Sequence, residues 1–167
     1  ANTTSVGLNV VGNVDCDSLN NAGISTFSGA VACDSDVSIV DTIYHSGDSH
    51  TKIRFPSGDT FTVETGGTEA FRVDSGQRVL IGTTTEGHTN ADDLTVANSG
   101  SGGITLRSGT SNTGNIFFSD ATSGSAEYAG YIQYDHSNNS LAFGTNTAIS
   151  LTLSSTNTAT FASSVSD

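Results

Sequence analysis

Residues Ile43–Gly82 read IYHSGDSHTKIRFPSGDTFTVETGGTEAFRVDSGQRVLIG. Short stretches of alternating apolar and polar residues, Phe61/Val63, Phe71/Val73 and Val79/Ile81, place apolar groups on one face at the period of a β-strand. Ser-Gly, Gly-Asp, Gly66-Gly67 and Asp74-Ser75-Gly76 interrupt them at turn-forming positions. No stretch between these turns is long enough for a helix. The run predicts a set of strands joined by tight hairpins, with Gly66-Gly67 supplying the positive φ that a two-residue hairpin requires.

The same texture continues outward. In the first half, strands are expected at Val6–Val11, Val37–His45, Thr51–Phe55, Thr60–Glu64, Ala70–Asp74 and Arg78–Gly82. In the second half they are expected at Leu94–Ala97, Gly103–Arg107, Asn115–Ser119, Glu127–Tyr134, Leu141–Gly144 and Ile149–Leu153. Near the start, GNVDCDS at Gly12–Ser18 recurs as GAVACDS at Gly29–Ser35, and TFSGAVACD at Thr26–Asp34 is echoed by TFASSVSD at Thr160–Asp167. These echoes predict thin strand-turn rungs and a segment of a longer repetitive protein, as does Ala1 in place of an initiator Met. Residues 1–41 therefore read as a repetitive shaft and 42–82 as a first β module. The polar TTTEGHTNADD at 83–93 reads as a linker, 94–153 as a second β module, and 154–167 as the start of a further rung. The second module holds Phe117, Phe118, Tyr128, Tyr131, Tyr134 and Phe143, which makes it the expected place for a compact sandwich core.

Composition supports an all-β, surface-rich chain. Among 167 residues, 34% are hydrophobic, 13% are charged, 19 are Gly, and Ser and Thr make up roughly three in ten. So little apolar content favours burial against further copies of the chain. The net charge of −12 argues against nucleic-acid binding, which rests on phosphate neutralisation. No apolar run approaches the ~20 residues of a membrane-spanning helix, so membrane insertion is not expected.

Tyr44–His50 (YHSGDSH) crowds Ser, His and Asp into one turn, but catalytic groups are assembled from separated segments, and a polar hairpin is the better reading. His45, Asp48 and His50 lack the close His-x-His spacing of an axial metal site. Acidic pairs such as Asp15/Asp17, Asp34/Asp36 and Asp92/Asp93 leave room for divalent cations but specify no site. Tyr128 and Tyr134 share strand parity while Tyr131 has the opposite one, which divides the tyrosines between two faces. Arg54, Arg72 and Arg78 stand among acidic neighbours, as expected for cross-strand or intersubunit ion pairs. Cys16 and Cys33 match neither a CxxC nor a zinc pattern. No catalytic, cofactor-binding or metal site is expected, and the chain does not read as an enzyme.

The progression His45-Ser46-Gly47-Asp48, Lys52-Ile53-Arg54-Phe55-Pro56, Asp59–Thr65, Gly67-Thr68-Glu69, Arg72-Val73-Asp74 and Ile81-Gly82-Thr83 resembles tail-fibre and related appendage proteins of marine and cyanobacterial phages. The later GITLRSGTS, IFFSDATSG and GYIQYDHSNNSLAFGTN, between Gly103 and Asn146, are similar to the module that follows in such proteins. The resemblance implies an elongated homotrimeric fibre of short strands, in which thin rungs lead into small β-sandwich or β-prism modules. It implies a place in the virion, with other virion proteins and a host-surface glycan or protein as further partners. It also implies a structural role, linking the virion to a host-recognising tip. A receptor-binding module and a head-decoration fibre are the alternatives. Assembly inside a cell would keep Cys16 and Cys33 as free thiols, packed as small apolar fillers or lying near a trimer axis.

Overall fold

The computed structural model describes residues 27–162. The expected strand Val6–Val11, the first rung with Cys16 and the terminal Ser163–Asp167 lie outside the described residues. Residues up to Val40 form one unit and those from Asp41 another. Residues 27–40 contain no strand, and Val31, Val37 and Val40 are exposed. The rung expected at Gly29–Ser35 is thus not a strand, and the strand expected from Val37 begins only at Thr42. Apolar alternation makes a strand only where a neighbour accepts its backbone hydrogen bonds, and no described segment pairs with 27–40.

The second unit is all-β and contains two sheets, neither closed into a barrel. In the first, β1 (Thr42–His45), β2 (Asp48–Arg54), β3 (Phe61–Thr65), β4 (Thr68–Val73) and β5 (Val79–Ile81) form an antiparallel meander. β6 (Leu94–Val96) then joins β5 in parallel. The polar 83–93 segment therefore carries the chain back to the edge of the same sheet, and Leu94–Val96 does not open the second one. Gly66 and Gly67 adopt φ of 58° and 76°, which places both central residues of the β3–β4 hairpin in the left-handed region.

The second sheet runs β7 (Thr113–Phe118), β8 (Gly130–Asp135), β9 (Ser140–Thr145), β10 (Ala148–Leu153) and β11 (Ala159–Phe161), all antiparallel. Ala159–Phe161, expected to start a new shaft rung, is its last strand. Gly103–Arg107 alternates in sequence yet forms no strand. A short 3-10 helix, Ser125–Tyr128, precedes β8.

The second sheet repeats the first. Positive φ at Asp59, Gly66, Gly67 and Gln77 is matched at Asn139, Asn146, Thr147 and Asn157, each 80 residues later. The Gly82 N–H to Ala70 O bond recurs as Ala162 N–H to Ser150 O, and Asp74 N–H to Arg78 O recurs as Ser154 N–H to Thr158 O. The irregular register of β3–β4 beside Ala70 recurs in β9–β10 beside Ser150. Two five-stranded meanders of one design stand in tandem.

Each meander carries one apolar row. In the first it is Ile43–Ile53–Val63–Phe71–Ile81, extended by Val96 on the added strand. In the second it is Ile116–Ile132–Phe143–Leu151–Phe161. Phe55, Phe61 and Phe71 stack along the first row with centroids about 6 Å apart. Neither row is covered: Ile43, Ile81, Ile116, Phe143 and Phe161 are exposed, and Leu80 and Ala142 are the only buried apolar residues among those described. The sandwich core expected in residues 94–153 is absent within the chain. The aromatics lie on a single-layer sheet with no facing layer to close over them.

Candidate functional site

The face opposite the first apolar row is ionic. Arg54 lies opposite Thr62 in the β2–β3 register, and Lys52 lies opposite Glu64. Arg54 Nε and Nη2 donate to the two oxygens of Asp41 at 3.2 and 3.1 Å, and Nη1 donates to Glu64 Oε1 at 3.2 Å. Lys52 Nζ meets Glu64 Oε2 at 3.1 Å. Arg72 grips Glu69 through two bonds of 2.8 Å. Arg78 meets Asp74 at 2.7 Å and Asp92 at 3.2 Å. Four of the five cationic side chains are thus used within the chain, and the three flagged arginines make intrachain pairs.

The electrostatics follow from these bonds. The Arg54 guanidinium holds the Asp41 carboxyl below its ordinary range, and Arg78 does the same to Asp74. Desolvation pushes Glu64 upward, but Lys52 and Arg54 outweigh it and the net shift is downward. Asp74 and Asp92 together raise Arg78 above the usual arginine value.

The Tyr44–His50 segment is a hairpin turn. Asp48 accepts from the His50 N–H at 2.9 Å and from Thr51 Oγ1 at 2.8 Å. His50 Nδ1 is 3.7 Å from Asp48, with the imidazole 75% exposed. The carboxylate organises the turn and activates nothing. Among the described residues no three of His, Cys, Asp and Glu come close enough to share a metal ion. Cys33 is an exposed free thiol.

On the second sheet the corresponding face is aromatic. The column Tyr44–Lys52–Glu64 of the first meander is occupied in the second by Phe117–Tyr131–Gly144. The Tyr131 ring lies across Gly144 so closely that a Cβ there would fall inside it. Tyr128 reaches the same place from the 3-10 helix, its ring 6.1 Å from that of Phe117. Strand parity had separated Tyr128 from Tyr131. Because Tyr128 is not on a strand, the parity rule does not apply to it, and the two tyrosines meet. Tyr134 is on the other face, bonded to Asn139 at 3.2 Å. Phe117, Tyr128, Tyr131, Gln133 and Thr147 enclose a cleft of about 300 Å³. Gln133 Nε2 donates to Asn115 Oδ1 at 2.8 Å, and Asn115 Nδ2 donates to Thr113 Oγ1 at 3.0 Å. Sequence reading noted the tyrosines but missed Phe117, Gln133 and Thr147. The signal that finds them is the 80-residue offset.

No family model, curated protein or solved structure matches this chain.

Proposed function

We propose that this chain is a structural segment of a homotrimeric virion appendage, a tail fibre linking the particle to a host-recognising tip. The observation that carries this reading is the pair of uncovered apolar rows on two sheets of one design. A meander with one ionic face and one bare apolar face is half of a folded layer, and the missing half is supplied by copies of the same chain. Three such sheets, apolar rows inward, make a β-prism. Tandem meanders along the axis extend it into a rod, and three tips borne on one rod gain multivalent hold on a surface. The sequence resemblance to phage appendage proteins supplies the virion context.

The footprint is adequate. Five strands about 4.8 Å apart and about five residues long cover roughly 400 Å² per sheet, or roughly 800 Å² for the tandem pair. That matches the area each partner contributes to a standard-size stable interface.

Antibody raised against the chain and applied to the particles that carry it tests the assignment in electron micrographs. Labelling of a thin tail appendage is expected. Labelling of the head would move the assignment to a decoration fibre, and unlabelled particles would overturn the virion role.

A further inference from the structure

The geometry points to the cleft of Phe117, Tyr128, Tyr131, Gln133 and Thr147 as a binding site for a neutral saccharide. Two copies of one meander permit a direct comparison. At matched positions the first copy holds Lys52, Arg54 and Glu64 in an ion-pair network, and the second holds Tyr131, Gln133 and Gly144. A framework that needed only to be held together has the ionic solution available. In the second copy the charges are gone, and two aromatic rings and an amide stand in the same column.

Each part suits a sugar. Phe117, at 52%, and Tyr128, at 41%, keep much of their surface open, so their faces remain available for the C–H face of a pyranose. The loss of a side chain at Gly144 is what lets the Tyr131 ring lie down against the sheet. The Thr113–Asn115–Gln133 chain of hydrogen bonds fixes the Gln133 amide. Gln133 Oε1 and the Tyr128 and Tyr131 hydroxyls have no partner among the described residues and are free to meet sugar hydroxyls. No charged group lines the cleft, and the chain carries −12, which disfavours an anionic glycan. A volume of about 300 Å³ lies at the small end of ligand pockets. The cleft is on the face opposite the apolar row, so it stays open when that row is covered. Sugar binding and self-assembly are therefore separable properties.

Saturation-transfer NMR on the full chain, with maltotetraose, cellotetraose and chitotetraose as neutral probes and sialyllactose as the anionic one, tests the site. Transfer to at least one neutral probe is expected, strongest on ring C–H protons. Tyr131→Ala and Phe117→Ala should each weaken it about tenfold, in line with the loss of one aromatic contact of about 1 kcal/mol. Tyr44→Ala, at the matched place in the first sheet, should leave it unchanged. Gln133→Met, which keeps the side-chain shape and removes the amide, should also weaken binding, and it serves if the alanine variants lose their β circular dichroism. No transfer to any neutral probe, transfer undiminished in folded Tyr131→Ala and Gln133→Met, or preference for sialyllactose would overturn the proposal.

Discussion

Tyr131 lies over Gly144 in the β8–β9 register, at the position where Lys52 pairs with Glu64 in β2–β3. One cross-strand site in one repeated framework is thus filled by a cation and a carboxylate in the first copy. In the second it is filled by a ring and a bare backbone. The contrast shows which features the meander requires and which are free to vary. Positive φ at the turns and the apolar row recur, and the opposite face does not.

Gly144→Ala should destabilise the second sheet by about 1–3 kcal/mol, because a methyl group there collides with the Tyr131 ring and forces a rotamer change or a backbone shift. Urea unfolding followed by tyrosine emission measures this. Gly103, where a Cβ would meet nothing, is the control. Equal midpoints for the two variants would remove the Tyr131–Gly144 packing from the account.

Thr62 is 1% exposed, and its Oγ1 is buried without a hydrogen-bond partner. Its counterpart in the second sheet is Ala142, an apolar residue that is also buried. Replacing a buried, unpaired hydroxyl with a methyl group removes a desolvation penalty at nearly constant shape. Thr62→Val should therefore raise stability by about 1 kcal/mol in the same unfolding experiment. A loss of that size would mean the hydroxyl has a partner.

Acid should weaken the first sheet. Asp41, Asp74 and Glu64 all have folded pKa values below their ordinary ones, 3.8 for the aspartates and 4.5 for the glutamate. A carboxyl shifted downward contributes stability that is fully present above its unfolded pKa and is lost as pH falls through the folded value. Melting temperature should therefore hold steady from pH 7 to about 5 and decline below about 4. In Arg54→Gln the Asp41 value returns toward 3.8 and the Glu64 value rises, so the decline should be shallower. An unchanged acid slope would show that these pairs do not couple to folding.

The strands and turns of the first meander were legible because alternation and Gly66-Gly67 or Asp74-Ser75-Gly76 report local backbone preference directly. The duplication was hidden because different residues meet the same backbone demand. Asn146-Thr147 stand where Gly66-Gly67 stand, and Asn157 stands where Gln77 does, with φ values within 15° at each matched position. The return of Leu94–Val96 to β5 was not legible either. A three-residue parallel strand after a polar loop carries little periodic signal. Gly103–Arg107 shows the converse, since alternation without a pairing partner makes no strand. The aromatic cleft was half visible: the tyrosines stood out, but only the 3-10 turn at Ser125–Tyr128 brings Tyr128 beside Phe117.

The central claim is that the apolar rows are covered by copies of this chain. The mass of the purified protein in solution, from light scattering at micromolar concentration, tests it most directly. The account predicts three times 17.0 kDa, about 51 kDa, falling toward 17.0 kDa when Val63→Asp and Phe143→Asp place a charge in each row. A monodisperse, β-structured species of 17.0 kDa from the unmodified chain would contradict it.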